Sequence, residues 1–121
     1  MAPGQPPDAF LPLKPLVFLT LLVLRSEDSH GYAIKKEVAR RSEGAIDLEP
    51  GTLYRLLARL LDQGLIEDSD RRPAAESDDE RRRYYRLTHL GRAVVTAEAS
   101  RLGRLVATED VRSLIAEERR S

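Results

Sequence analysis

The chain has 121 residues, of which 41% are hydrophobic and 33% are charged, and its formal net charge is zero. This length and balance indicate one globular domain with a modest core. The neutral charge excludes a global basic field, so any binding to nucleic acid must come from local clusters of arginine and lysine. Cysteine is absent, which excludes disulfides and cysteine-based sites and agrees with a cytoplasmic location.

The N-terminal part of the chain divides into two segments. Residues 1–12 hold four prolines and a glycine, which predicts a flexible arm. Residues 13–24 are the most apolar segment and predict a helix buried nearly all round. This segment is shorter than the roughly 20 residues that cross a bilayer, so no membrane association is expected. The helix lies either inside the monomer or also against a partner subunit, and the expected partner contacts are Leu16, Leu19 and Val23.

A second helix is predicted at residues 31–41, after a polar turn at residues 25–30 that offers Asp28 or Ser29 as the N-cap. Ile34 and Val38 are four residues apart and mark its inner side. Its outer side carries a local cluster of cations of the kind that could contact a nucleic-acid backbone, namely Lys35, Lys36 and Arg40. The connector at residues 45–49 alternates apolar and polar residues and could hold a short extended piece.

The third helix begins near Pro50, which suits a first helical turn, and ends at Gly64, which suits a left-handed backbone. Its leucines repeat at helical spacing and predict one apolar face: Leu53, Leu56, Leu57, Leu60 and Leu61. The opposite side carries small, hydroxyl, aromatic and arginine residues: Gly51, Thr52, Tyr54, Arg55 and Arg59. This front is either the solvated side of a core helix or a surface that enters a major groove. Two short helices in this order favour a helix-turn-helix.

A β-hairpin is predicted after the third helix, with a strand starting at residues 65–68 and another returning at residues 81–87. The loop between them carries acidic residues that either pair with the arginines that follow or keep the tip solvated, and that could also repel DNA from the tip: Glu76, Asp78, Asp79 and Glu80. The returning strand begins with residues expected to lie along phosphates: Arg81, Arg82, Arg83 and Tyr84. A helix-turn-helix followed by a hairpin is a winged helix.

The C-terminal residues 89–121 predict helix, with Thr88 as the cap and a fresh helix start at residues 108–110. An apolar stripe runs along the first part: Leu90, Val94, Ala97, Leu102 and Leu105. In so short a chain we interpret this stripe as a subunit contact in a two-fold dimer. The alternative is that it folds back on its own domain.

Three segments together resemble the PadR-type transcriptional regulators: residues 30–34, residues 48–54 with 64–66, and residues 83–88. The resemblance implies a winged-helix repressor that binds a palindromic operator as a homodimer and often responds to a small-molecule effector. Arg55 stands where many relatives have proline, and Leu61 stands where glutamate is common. The short C-terminal region resembles the small subfamily with one dimerisation helix. The chain has no tryptophan, so the stacked drug site of some relatives is not carried over.

The combined prediction is a mainly α fold with a small β-hairpin (α+β), with an arm at residues 1–12, a winged helix-turn-helix at residues 13–88 and a dimerisation region at residues 89–121. Enzyme motifs such as G-x-S-x-G or a phosphate loop are absent, and His30 and His89 suit turns or caps better than a catalytic or metal site. No enzyme activity, cofactor or metal is expected. Two alternatives to DNA binding stay open: a protein-interaction module, and a dimer that binds a small molecule between the helices at residues 13–24.

Overall fold

The computed structural model describes residues 5–70 and 83–120, and most of them are helical. The α-helices are α1 (Pro15–Ser26), α2 (Gly31–Arg41), α3 (Pro50–Asp62), α4 (His89–Val106) and α5 (Glu109–Arg120), with a 3-10 helix at Pro7–Phe10. The strands are β1 (Ser29–His30), β2 (Ile66–Ser69) and β3 (Tyr84–Leu87). The predicted mainly α fold with a small antiparallel sheet is confirmed.

The sheet has one more strand than the predicted hairpin. Its order is β1-β3-β2, with both pairs antiparallel. In β2 and β3, Ile66 pairs with Leu87 and Ser69 pairs with Tyr84. The prediction of a plain turn at residues 25–30 was wrong at both ends: α1 continues through Ser26, and Ser29 and His30 form β1, in which Ser29 pairs with Tyr85. A strand of two residues is too short to show an alternating pattern in the sequence.

Most helix starts follow the sequence signals. Pro15 and Pro50 occupy the first turns of α1 and α3. The N–H that proline lacks would have no hydrogen-bond partner within the helix at this position. Thr88 Oγ1 accepts a hydrogen bond from Gly91 N at 3.0 Å and caps α4. The cap of α2 differs from the prediction, because His30 Nδ1, not Asp28 or Ser29, accepts from Ala33 N at 3.1 Å.

The core lies between α1, α2, α3, the sheet and the first half of α4. Its most deeply buried members are apolar: Leu21, Val23, Leu24, Ile34, Val38, Leu53, Leu56, Leu57, Leu60, Leu65, Ile66, Val94 and Val95. Four leucines of α3 point into it, so the apolar back of this helix fixes its orientation. Gly91 brings α4 against the start of the hairpin, since a Cβ there would lie only 2.0 Å from Leu65 O.

The N-terminal segment is more ordered than the predicted flexible arm. Pro7–Phe10 form the 3-10 helix, and Phe10, Leu11 and Leu13 pack against the core. The prediction of a flexible arm is therefore corrected for residues 5–12 only, because residues 1–4 lie outside the described part of the chain. The proline-rich composition indicates a poor helix, but composition alone does not show that Phe10 and Leu11 pack against the core.

The C-terminal region divides as predicted into α4 and α5, with a break at Ala107 and Thr108. None of the residues of α5 is buried. The connector at residues 45–49 forms no strand, although the backbone at Glu49 is extended. Among the described helices, none combines the length and apolarity needed to cross a membrane.

Candidate nucleic-acid interface

The front of α3 is open to solvent, as its leucine spacing predicted. Leu53, Leu56, Leu57 and Leu60 are at most 3% exposed, whereas Tyr54 is 55% exposed. The other exposed positions of this surface are Gly51, Arg55, Ala58 and Arg59, with Thr52 half-buried at its edge. A rigid helix therefore presents small, aromatic and cationic side chains together. We call this set, from Gly51 to Arg59, the α3 front.

Arg55 lies back along the α3 front toward the start of the helix. Its Nη2 donates to Thr52 Oγ1 at 3.3 Å, and its Nη1 would be 3.4 Å from a Cβ on Gly51. The side chain of Glu49, the N-cap residue, makes no capping hydrogen bond. The first N–H groups of α3 and the Arg55 guanidinium thus offer positive charge at one place, which suits a phosphate oxygen.

The predicted cations of α2 are exposed or half-exposed, and two of them have acidic partners. Lys35 Nζ lies 2.8 Å from Asp47 Oδ1, and this hydrogen bond is the main cause of the raised pKa of Lys35. Arg40 and Arg41 both donate to Glu37, which lowers the pKa of that carboxyl to about 2. Such exposed pairs are weak, so phosphates can displace the carboxylates.

Tyr32 lies on the outer side of α2 with these cations, although it was not among the predicted DNA-binding residues. It is 55% exposed near the start of α2, and Lys36 Nζ lies 5.5 Å from its ring centroid. Its position two residues before Ile34 places it about 200° around the helix from that core residue. This spacing was the signal that could have found it.

The hairpin places its described cations beside acidic residues. Arg83 donates two hydrogen bonds to Asp68 and stacks over Tyr85 at 5.3 Å from the ring centroid. Arg86 Nε donates to Glu67 at 2.8 Å. The hydrogen bond from Arg83 lowers the pKa of Asp68. Arg81, Arg82 and the acidic residues 76–80 lie outside the described residues.

Tyr84 is buried, unlike the other predicted DNA-binding residues that the structure describes. It is 6% exposed, and its ring meets that of His30 edge to face, with the centroids 5.2 Å apart. It is therefore not positioned to contact a ligand outside the subunit. Tyr84 and Tyr85 are both buried, so burial does not alternate along this part of β3, and the alternating pattern predicted from the sequence could not separate the two residues.

The residues predicted for a subunit contact fall into three groups by burial. Val23 and Val94 are at most 2% exposed and belong to the subunit's own core, so they are not accessible to a partner. Those that are half-buried are Leu16, Leu19, Leu90, Ala97 and Leu102. Leu105 is 49% exposed, and three other apolar residues of α4 and α5 are also exposed, namely Val106, Leu114 and Ile115.

The family of this chain follows from a sequence match. Residues 20–97 match the family described as the transcriptional regulator PadR-like family. This match covers more than half of the chain. The chain belongs to the PadR-like family of transcriptional regulators. It is thus a DNA-binding regulator of the winged-helix type, from a family that is not one of enzymes.

Solved structures of PadR-like and related regulators share this fold. RosR of H. salinarum is 30% identical with a TM-score of 0.62, covering 89% of this chain and 91% of that chain. A PadR family transcription regulator from Clostridium difficile R20291 is 26% identical with a TM-score of 0.62, covering 77% and 95%. A PadR-like transcriptional regulator from Bacillus cereus, 21% identical with a TM-score of 0.67 over 83% and 90%, shows the fold alone.

Proposed function

We propose that two copies of this chain bind double-stranded DNA at an operator of two-fold symmetry and repress transcription there. The observation that carries the proposal is the α3 front, where Tyr54, Arg55 and Arg59 are exposed while the leucines behind them are buried. An α-helix fits the major groove of B-DNA, and arginine there binds guanine or phosphate. The α3 front of each copy enters one groove.

Backbone contacts flank the α3 front in this proposal. Lys35, Lys36 and Arg40 of α2 meet the phosphates on one side, and Arg83 of the hairpin meets them on the other, with Arg81 and Arg82 assigned from the sequence alone. The start of α3, where Arg55 lies beside Gly51 and Thr52, holds a phosphate. Contacts of this kind fix the register of the protein on the duplex without reading its sequence.

The homodimer is supported by apolar surface that one subunit leaves uncovered. Leu105, Val106, Leu114 and Ile115 are between 44% and 63% exposed on consecutive helices. Contiguous exposed apolar surface is typical of protein contacts, and we infer that these four residues form such a surface. We assign this surface, together with the half-buried Leu16, Leu19, Leu90, Ala97 and Leu102, to the contact between copies.

A small-molecule effector is the second part of the proposal. A cleft of about 470 Å³ lies between α1 and α2, lined by residues that include Val23, Ala33 and Lys36. Because Lys36 belongs to the proposed phosphate-binding set, a ligand in this cleft would compete with DNA. A ligand that raises the melting temperature and releases bound DNA would support this role, and a ligand that binds without affecting DNA would contradict it.

Selection of binding sites from random DNA tests the main proposal. The enriched sequences should be inverted repeats whose half-sites are about 10 base pairs apart, because two symmetric helices reach successive major grooves. Deleting the gene should raise transcription from a promoter that holds such a site. No enrichment would favour the protein-interaction alternative, and an enriched asymmetric site would contradict the two-fold arrangement.

A further inference from the structure

The ring of Tyr54 rests on the backbone of Gly31, the first residue of α2. A Cβ added to Gly31 would meet three atoms of this ring first: Oη at 3.0 Å, and Cε1 and Cζ at 3.2 Å. Gly31 is buried, whereas Tyr54 is 55% exposed. One part of the ring is therefore packed against α2, and the remainder is open to solvent on the α3 front.

The backbone of Gly31 gives no other reason for glycine at this position. The glycines with positive φ in the described residues are Gly44 and Gly64, so Gly31 has a conformation that alanine adopts without strain. Alanine also favours helix more than glycine does. The close approach of the Tyr54 ring is what a methyl group would disturb.

Tyr54 is the group that would give way to such a methyl group. Contacts of 3.0–3.2 Å are tighter than nine in ten real Cβ contacts, so the neighbouring group has to shift by a few tenths of an ångström. The Tyr54 side chain can rotate into solvent, whereas the start of α2 is held by His30 Nδ1 and by the strand that precedes it. The expected change is thus a displaced ring with α2 unchanged.

We propose that Gly31 is a positioning residue for DNA recognition: the space it leaves sets where the Tyr54 ring stands on the α3 front. This role rests on the proposed function, since it requires that Tyr54 contacts the operator. It assigns a task to a residue that itself touches no DNA. It also links α2 to α3, so the two helices of the helix-turn-helix present one fixed surface.

Nuclear magnetic resonance of the free protein tests the packing without DNA. The wild-type protein should show nuclear Overhauser effects between the Gly31 Hα protons and the Tyr54 ring. In Gly31→Ala the ring resonances of Tyr54 should move while those of the core leucines stay. If the wild-type protein gives no such effect, the ring does not rest on Gly31 and the proposal is overturned.

A double-mutant cycle on the selected operator tests the role in recognition. Gly31→Ala should weaken operator binding about tenfold, as expected for a misplaced contact of this kind. In a Tyr54→Ala background the same substitution should have no effect, and in a Tyr54→Phe background, which lacks the closest atom, its effect should be smaller. An equal loss in all backgrounds, or no loss from Gly31→Ala where Tyr54→Ala does weaken binding, overturns the proposal.

Gly103→Ala is the matched control. It makes the same chemical change within a helix, and nothing lies within 4 Å of the Cβ it adds. Its operator affinity should equal that of the wild-type protein. Should Gly31→Ala fold poorly, the Gly31→Ala/Tyr54→Ala variant, which removes the clash, still gives the coupling through its melting temperature. If the wild-type protein binds no operator, the proposed function fails and this role falls with it; if it does bind, the cycle decides on Gly31 alone.

Discussion

Glu98 and Leu13 lie 85 residues apart in the sequence and are joined by a hydrogen bond, in which Leu13 N donates to Glu98 Oε2 at 2.8 Å. Arg101, one turn further along α4, donates to both oxygens of the same carboxylate. The Glu98 side chain is 1% exposed. A buried carboxylate thus attaches the segment before α1 to α4, and its charge is balanced by Arg101.

Removing this carboxylate should destabilise the fold. Glu98→Ala leaves the Leu13 N–H without its acceptor, so the free energy of unfolding should fall by about 1–3 kcal/mol. Glu98→Gln keeps an oxygen acceptor and should cost less, about 1 kcal/mol, since neutral hydrogen bonds are weaker than charged ones. Chemical denaturation measures both. Glu117→Gln, at an exposed position of α5, is the control, and an equal loss there would contradict the assignment.

The stabilisation by Glu98 should disappear in acid. The hydrogen bond from Arg101, aided by that from Leu13 N, lowers the pKa of Glu98 below its usual 4.5. A lowered folded-state pKa stabilises the fold fully above 4.5, and this contribution is lost as the pH falls through the folded value. The difference in unfolding free energy between wild type and Glu98→Gln should therefore shrink on acidification. Other carboxylates titrate in both proteins and cancel, so a constant difference would contradict this prediction.

Asp47 competes with phosphate for Lys35 in our account. The two charged atoms are 2.8 Å apart and the Asp47 carboxylate is largely exposed, so Asp47→Asn should leave Lys35 available and tighten DNA binding a few-fold. Fluorescence anisotropy with operator and with unrelated DNA measures the change. In a Lys35→Met background the same substitution should have a smaller effect, and equal effects in both backgrounds would mean that Lys35 is not the mediator.

The exposed apolar residues of α4 and α5 should hold the dimer together. Leu114 is 63% exposed on a helix that has no fully buried residue, so Leu114→Glu should leave the monomer folded. It should weaken dimerisation by about 2 kcal/mol or more if Leu114 is an anchor of the contact. Sedimentation equilibrium measures this. Ser113→Glu, at an exposed polar position of the same helix, should leave the dimer intact, and an unaffected dimer in Leu114→Glu would place the contact elsewhere.

Periodicity and end signals in the sequence were enough to locate the helices and the inward side of α3. The spacing of Leu53 and Leu57, Pro50 at one end and Gly64 at the other are local features, and local features predict helices well. Gly64 has a φ of +76°, as its position at the helix end predicted. The exposed Arg55 and Arg59 follow from the same spacing.

Contacts between residues that are far apart in the chain could not be predicted from the sequence. β1 exists because Ser29 meets Tyr85, and the N-terminal segment is ordered because Leu13 meets Glu98. The composition of a polar or proline-rich segment does not indicate which distant residues it will contact. For the same reason Tyr84 was assigned to the surface, although its exposure depends on which side of β3 faces His30.

The salt dependence of DNA binding tests the central claim most directly, because neutralising phosphates releases counterions. For the wild-type protein, the logarithm of the binding constant should fall linearly and steeply with the logarithm of salt concentration. The Arg55→Ala/Arg59→Ala variant should bind more weakly, and its slope should be shallower by about one for each phosphate that the missing arginines no longer neutralise. Equal affinity and slope for the two proteins, or wild-type binding without salt dependence, would contradict the claim that the α3 front contacts DNA.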